Sequence, residues 1–283
     1  MQASIKYIRK ELAETYPKEE VEGFIRIILQ HLKEYNLTDL VTNRDEALTS
    51  EEIEKIHTIV DRLKQSEPIQ YILGEADFCD LVFKVNRKVL IPRPETEELV
   101  RWILRRQKDG AFRILDIGTG SGCIPISLKR HYQKANVLAC DISADALRVA
   151  KENAARHQAE IAFFHLDILD PQLPETFEKI DVLVSNPPYV TKSEKQQMQN
   201  NVLQYEPETA LFVPDDQALI FYRAIAVFAK KHLAKNGKLF LEINEAFGKK
   251  TRSLLKENGF SNVQLKKDIN GKDRMIYAEL CEH

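Results

Sequence analysis

Apolar residues recur at helical spacing through the first 70 positions. Ile5, Ile8 and Leu12 fall at i, i+3 and i+7, and Val21, Phe24, Ile25, Ile28, Leu29 and Leu32 form a wider stripe of the same period. Ile53, Ile56, Val60 and Leu63 repeat it, with Thr49 and Glu52 at capping-box spacing ahead of them. Pro68 ends this helical series. The pattern then shortens. Phe78, Val82, Phe83, Val85, Val89 and Ile91 lie around Asn86-Arg87, which predicts a short hairpin. Pro92 and Pro94 close it, and a helix is expected to begin near Glu95. From residue 113 strand and helix patterns alternate. Strands are predicted at 113–117, 136–141, 161–166, 180–185, 237–243, 262–267 and 274–280, and helices at 122–132, 144–157, 216–234 and 247–258. Such alternation implies a mostly parallel sheet covered on both faces. The last two strands, with little between them, imply a terminal antiparallel hairpin.

Composition narrows this picture. The chain has 283 residues, 43% of them apolar, which supports a sizeable core and excludes disorder. Its 41 Lys and Arg nearly balance 43 Asp and Glu, which argues against a protein that coats nucleic acid by bulk charge. Residues 1–75 hold 10 basic against 15 acidic side chains, a net −5, and so leave +3 for the remainder of a chain of net −2. The shift supports a helical domain over 1–75, a hairpin linker over 76–94 and an α/β domain over 95–283. Lys6, Arg9, Lys10 and Glu11 precede no apolar stretch, and no apolar run approaches the ~20 residues of a membrane span, so neither a signal peptide nor membrane association is expected. Cys79, Cys123, Cys140 and Cys281 are scattered, with no zinc-site pairing and no disulfide framework. Reduced thiols in a cytoplasmic protein are expected.

Glycine is scarce, and its distribution carries chemistry. Of ten glycines, three lie within five positions, in Gly118-Thr119-Gly120-Ser121-Gly122, between an apolar strand and a helix. A turn without side chains lets a ligand approach the backbone, and the following helix offers unpaired N–H donors. The spacing is G-x-G-x-G. The dinucleotide fingerprint would need a further glycine where Cys123 stands. Asp141 closes the next strand, where an acid can accept both hydroxyls of a ribose. Asp167 closes the third and can receive an adenine amino group, with Ile168 against the ring. A tight structural turn with two solvated carboxylates is the plain alternative. Three such features at three successive strand ends favour a nucleoside, because open α/β sheets bind ligands there. The glycine spacing suits the methyl donor S-adenosyl-L-methionine better than NAD.

The fourth strand runs into Asn186-Pro187-Pro188-Tyr189. A proline-stiffened loop is the plain reading. The chemical one is more specific. Pro187 and Pro188 fix the backbone and leave carbonyls free, and the Asn186 side chain adds an acceptor. Acceptors converging on one NH2 group hold a planar amide or aromatic amine and help pyramidalise a nitrogen whose lone pair is delocalised. Tyr189 can stack on the planar group. The donor is already an activated sulfonium, so alignment supplies much of the catalysis. No cysteine follows a proline, which disfavours a Pro-Cys cytosine-C5 mechanism. An adenine-N6 methyltransferase of DNA or RNA fits the same tetrapeptide after base flipping but calls for a basic groove. A non-catalytic nucleoside-binding protein has no need of it.

Together with Ile91-Pro92-Arg93-Pro94-Glu95-Thr96-Glu97 and the leading helical module, these motifs make the chain similar, over essentially its whole length, to the protein-(glutamine-N5) methyltransferases of the PrmC/HemK family. The resemblance implies a class I S-adenosylmethionine-dependent methyltransferase fold. That fold is a Rossmann-like seven-stranded sheet whose last strand is antiparallel, with a small all-α N-terminal domain and a β-hairpin linker. It implies methylation of the glutamine in the Gly-Gly-Gln motif of peptide chain release factors, with S-adenosyl-L-homocysteine as product. The helical domain would grip that partner, as a monomer and without stable nucleic-acid binding. Gly118, Thr119, Gly120, Ser121, Gly122, Asp141, Asp167 and Ile168 match cofactor positions, and Asn186, Pro187, Pro188 and Tyr189 the glutamine site. Two stretches depart from the family pattern: Val213-Pro214, where paired glycines are common, and Asn244, where Leu241-Glu242-Ile243 is commonly followed by glycine. Arg93 and Glu95 stay outside the site assignment.

Overall fold

A computed structural model describes residues 1–43, 46–174 and 176–280, so Cys281 lies outside the described residues. The chain forms two compact units, Met1–Gly74 with Gln199–Tyr205, and Glu75–Met198 with the chain from Glu206 onward.

The first unit contains α1 (Gln2–Leu12), α2 (Lys18–Lys33), α3 (Leu37–Thr42), α4 (Ser50–Leu63) and α5 (Ile69–Leu73). The apolar stripes close on one another: Ile8 and Leu12, Val21 to Leu29, and Ile56 to Leu63 share one core. Thr49 makes the predicted capping box with Glu52. Ile53, read as part of the stripe, is 38% exposed, and Ile59 is buried instead. The short α3 and α5 lie below the length at which periodicity is visible. Asn36 caps α3 through its own capping box.

In the second unit, β1 (Glu75–Phe78) and β2 (Leu81–Lys84) form an antiparallel hairpin. It turns at Cys79-Asp80, with φ of 49° and 61°, and not at Asn86-Arg87. Asn86 does make a local turn, accepting from Val89 N at 3.1 Å, but no strand follows it. α6 (Pro94–Arg106) then starts with proline in its first turn, where a missing N–H costs nothing.

The main sheet comprises β3 (Arg113–Ile117), β4 (Asn136–Asp141), β5 (Ile161–His165), β6 (Ile180–Ser185), β9 (Leu233–Glu242), β10 (Phe260–Lys267) and β11 (Asp273–Leu280), in the order β10-β11-β9-β6-β3-β4-β5. Only β11 runs against its neighbours. Along the chain between these strands come α7 (Cys123–His131), α8 (Ala144–Arg156), β7 (Val190–Thr191), β8 (Phe212–Val213), α10 (Ile220–His232) and α11 (Gly248–Glu257), β7 pairing with β8, while α9 (Asn200–Tyr205) belongs to the first unit. Alternate residues of the strands feed two cores. Leu115, Ile117, Leu183, Leu239 and Leu241 pack with α10 and α11. Ile114, Val182, Val184 and Phe240 pack with α6 and α7. Burial on both faces explains the near-continuous apolar runs of the sequence. The predicted helix 216–234 is shorter than expected, because Leu233 already opens β9 and Asp215–Gln217 form a 3-10 turn. Among the described residues no helix is long and apolar enough to cross a membrane.

Candidate active site

The glycine turn leaves β3 with positive φ at Gly118 (72°), Gly120 (55°) and Gly122 (81°). The three differ in what surrounds them. A Cβ on Gly122 would lie 3.1–3.3 Å from Ile126 and Ala150, so this glycine lets α7 and α8 approach. A Cβ on Gly120 would meet nothing within 4 Å, and one on Gly118 only the Asn186 carbonyl oxygen, at 4.0 Å. The turn therefore has an open side, and the Asn186 backbone borders it. Asp141 holds the turn from β4: its Oδ2 accepts from Gly120 N and its Oδ1 from Ser143 N, both at 2.9 Å. Burial raises the Asp141 pKa in spite of these bonds. Asn153 of α8, fully buried, donates to the Ser121 carbonyl at 2.9 Å. Asp167 and Ile168 follow β5, two strands from β3 at the same sheet edge. Asp167 accepts from Leu169 N at 2.9 Å, and Ile168 is buried.

Beneath the turn lies a residue that the sequence reading passed over. Asp116 is fully buried with the Thr119 hydroxyl beside it, and its oxygens, Thr119 Oγ1 and Ser121 Oγ make no hydrogen bond of full geometry. Burial, with Asp141 nearby, pushes the Asp116 carboxyl up to about 7. The available signal was one charge inside the apolar run Ile114-Leu115-Asp116-Ile117. A buried carboxyl met only by the Thr119 hydroxyl, beside a turn with room at Gly118 and Gly120, suits a cationic nucleoside such as a sulfonium.

The Asn186–Tyr189 loop is tied to the turn. Ile117 pairs with Ser185 across β3 and β6, and Ser185 Oγ donates to the Ile117 carbonyl at 2.7 Å. Pro187 is buried. Asn186 Nδ2 donates to Thr96 Oγ1 at 3.1 Å, and Thr96 donates to Glu242 Oε2 at 2.6 Å. Tyr189 OH donates to Glu242 Oε1 at 3.0 Å. Burial raises the pKa of both Glu242 and Tyr189. The loop is also anchored from outside. Asn244 Nδ2 donates to the Tyr189 carbonyl at 3.0 Å and to Glu194, while its Oδ1 accepts from Ala246 N at 2.8 Å. The asparagine in place of a common glycine thus fastens the loop. Val213, at the other departure, is buried and pairs with Thr191. Arg93 is held by the buried Glu206 at 2.6 Å, a structural ion pair.

The chain matches two family models, the PrmC N-terminal domain over residues 4–74 and the Methyltransferase small domain over residues 96–209. It is 45% identical to the release factor glutamine methyltransferase of Flavobacterium psychrophilum, covering 94% of each chain. It is 43% identical to that of Bacteroides thetaiotaomicron, over 96% of this chain and 97% of the relative. Among solved structures, the 16S rRNA N2 G1207 methyltransferase of T. Thermophilus in complex with AdoMet and guanosine superposes with a TM-score of 0.53 at 18% identity. That match covers 73% of this chain and 49% of the other, and shows a shared fold.

Proposed function

This chain belongs to the release factor glutamine methyltransferase family, and from that premise we propose that it methylates the side-chain amide nitrogen of the glutamine in the Gly-Gly-Gln motif of peptide chain release factors. The methyl group comes from S-adenosyl-L-methionine, which leaves as S-adenosyl-L-homocysteine. The observation that carries this reading is the border between the two motifs: the Asn186 carbonyl lines the open side of Gly118. A group held by the Asn186–Tyr189 loop is thereby next to whatever occupies the glycine turn. When bound, the donor supplies a methyl group already activated on a sulfonium.

Each residue then has a task. Gly118 to Gly122 would bring bare backbone against the donor, and the ionised form of Asp116 would offset its positive charge. Asp141 would receive the ribose hydroxyls on its remaining lone pairs, Asp167 would hold the adenine amino group, and Ile168 would pack on the ring. Asn186 Oδ1 and the Pro187 carbonyl accept the two protons of the glutamine NH2 and favour its pyramidal form. Pro188 stiffens the loop, and Tyr189 stacks on the amide plane. Alignment for in-line attack is the main contribution of the protein. The amide proton leaves after transfer, when the nitrogen is far more acidic, so no general base is assigned. The similarity to release factor glutamine methyltransferases favours this reading over an adenine-N6 enzyme or a non-catalytic binder.

Mass spectrometry of the release-factor loop, after incubation with enzyme and donor, tests it. A gain of one methyl group on the glutamine is expected, and an unmodified loop would refute the function. Asn186→Ala should lower kcat on the order of 100-fold while donor affinity, read by calorimetry, stays within about twofold.

A further inference from the structure

We propose that Thr96 and Glu242 are positioning residues that dictate which way the Asn186 amide faces, a step that rests on the function proposed above. Both are deeply buried, Thr96 at 3% and Glu242 at 1% exposure, and they come from α6 and the end of β9. The Thr96 and Tyr189 hydroxyls and the Arg274 charge favour the ionised form of Glu242 against the effect of its burial, and an ionised carboxylate accepts hydrogen bonds and cannot donate. Glu242 therefore takes the hydroxyl proton of Thr96 on Oε2 and that of Tyr189 on Oε1. With its proton committed, the Thr96 oxygen has only lone pairs to offer Asn186. The amide must turn its NH2 toward Thr96, as the 3.1 Å bond shows, and Oδ1 points away from it. The flipped amide would set Oδ1 against an oxygen with no proton to give, leaving two unpaired acceptors in contact. The direction of the chain is thus set by the carboxylate and read out at Asn186. The same carboxylate fixes the Tyr189 ring, so one buried charge orients both ends of the tetrapeptide. Arg274 of β11 is the cation whose field reaches it.

Thr96→Val keeps the shape and removes the relay. Expected is a fall in kcat on the order of 10- to 100-fold. KM for release factor and donor affinity should stay within about twofold, and Thr96→Ser should restore kcat to within about threefold. A Thr96→Val kcat within twofold of wild type overturns the proposal. So does a loss that serine does not rescue and that melting temperature and donor affinity share. If Thr96→Val does not fold, Glu242→Gln replaces it. Its carboxamide puts an NH2 where one of the two hydroxyls now finds an acceptor, and should lower kcat with the same unchanged KM. The Asn186 side-chain NH2 signal in NMR, assigned by its loss in Asn186→Ala, reads the lock without turnover. Its protons should exchange slowly with water in wild type and rapidly in the relay variant. Equal exchange overturns the proposal. A wild-type enzyme that leaves release factor unmodified refutes the function instead, and the NH2 signal still decides the relay.

Discussion

Gly120 and Gly122 share a positive φ, yet different pressures keep them glycine. Alanine at 122 adds a left-handed residue, costing ~1–2 kcal/mol, to a contact at 3.1–3.3 Å that must push α7 from α8, costing ~1–3 kcal/mol more. Alanine at 120 carries only the first cost, since nothing lies within 4 Å, but its methyl enters the open side of the turn. Gly122→Ala should therefore lower the melting temperature by far the more, and Gly120→Ala should fold and lose donor affinity at least about tenfold. Melting curves and calorimetry on the pair separate these outcomes. A second prediction concerns Asp116. Its carboxyl, ordinarily near 3.8, titrates in the folded protein at about 7. Below pH ~4 both folded and unfolded chains hold the proton. As pH rises to 7 the unfolded chain releases it first, so this group withdraws stability across that window, up to about 4 kcal/mol. Ligand-free wild type should lose melting temperature between pH 5 and pH 8, and Asp116→Asn should show a flatter profile. Equal slopes would show that Asp116 is not the group titrating. The glycine spacing was legible because it is local. That Asp116 is fully buried was not, because burial depends on elements distant in sequence.

At the scale of elements, Asn153 joins pieces distant in sequence. Its Oδ1 accepts from Lys84 N at 2.7 Å, and its Nδ2 donates to the carbonyls of Lys84 and Ser121, both at 2.9 Å. One amide on α8 thus fastens the end of β2 to the glycine turn. Asn153→Ala leaves three backbone groups without this partner and should cost about 2–4 kcal/mol. It should also weaken donor binding, because the turn loses a support. A denaturant titration with and without donor checks both effects, and a variant with unchanged stability would remove Asn153 from this role. Such ties explain which elements the sequence revealed. The strands of the main sheet stood out because both of their faces are apolar, so β3, β4 and β6 match the expected 113–117, 136–141 and 180–185. The hairpin turn was misplaced because Cys79 and Asp80, without glycine or proline, adopt positive φ, while Asn86 advertised a turn that joins no strand. The helix before β9 was drawn too long because Leu233 is buried whether it ends a helix or opens a strand, and periodicity does not separate the two. Thr96 and Glu242, 146 residues apart, meet only because α6 packs on β9, which no local pattern encodes.

For the whole molecule, the uneven charge has a consequence for the substrate, which is itself a protein. Residues 1–75 carry a net −5 and the rest +3. If the acidic helical unit receives the release factor, it should act through long-range attraction to a basic partner surface, which steers encounter more than it holds the complex. On α4 the buried positions Ile56, Ile59, Val60 and Leu63 define the inner face, and Glu54 and Asp61, seven residues apart, share an exposed one. Reversing both, as Glu54→Lys with Asp61→Lys, changes the unit's charge by +4 without touching its core. The expected result is a several-fold rise in KM for intact release factor at low ionic strength, with kcat unchanged. The difference should shrink at ~0.5 M salt, where the Debye length falls to a few ångströms. A short Gly-Gly-Gln peptide, too small to reach beyond the proposed glutamine site, should be methylated equally by both proteins. If KM for the intact factor does not move, the helical unit does not recruit its partner by charge. If the peptide loses rate as well, the substitution has reached the catalytic unit, and the division of labour between the two units is wrong.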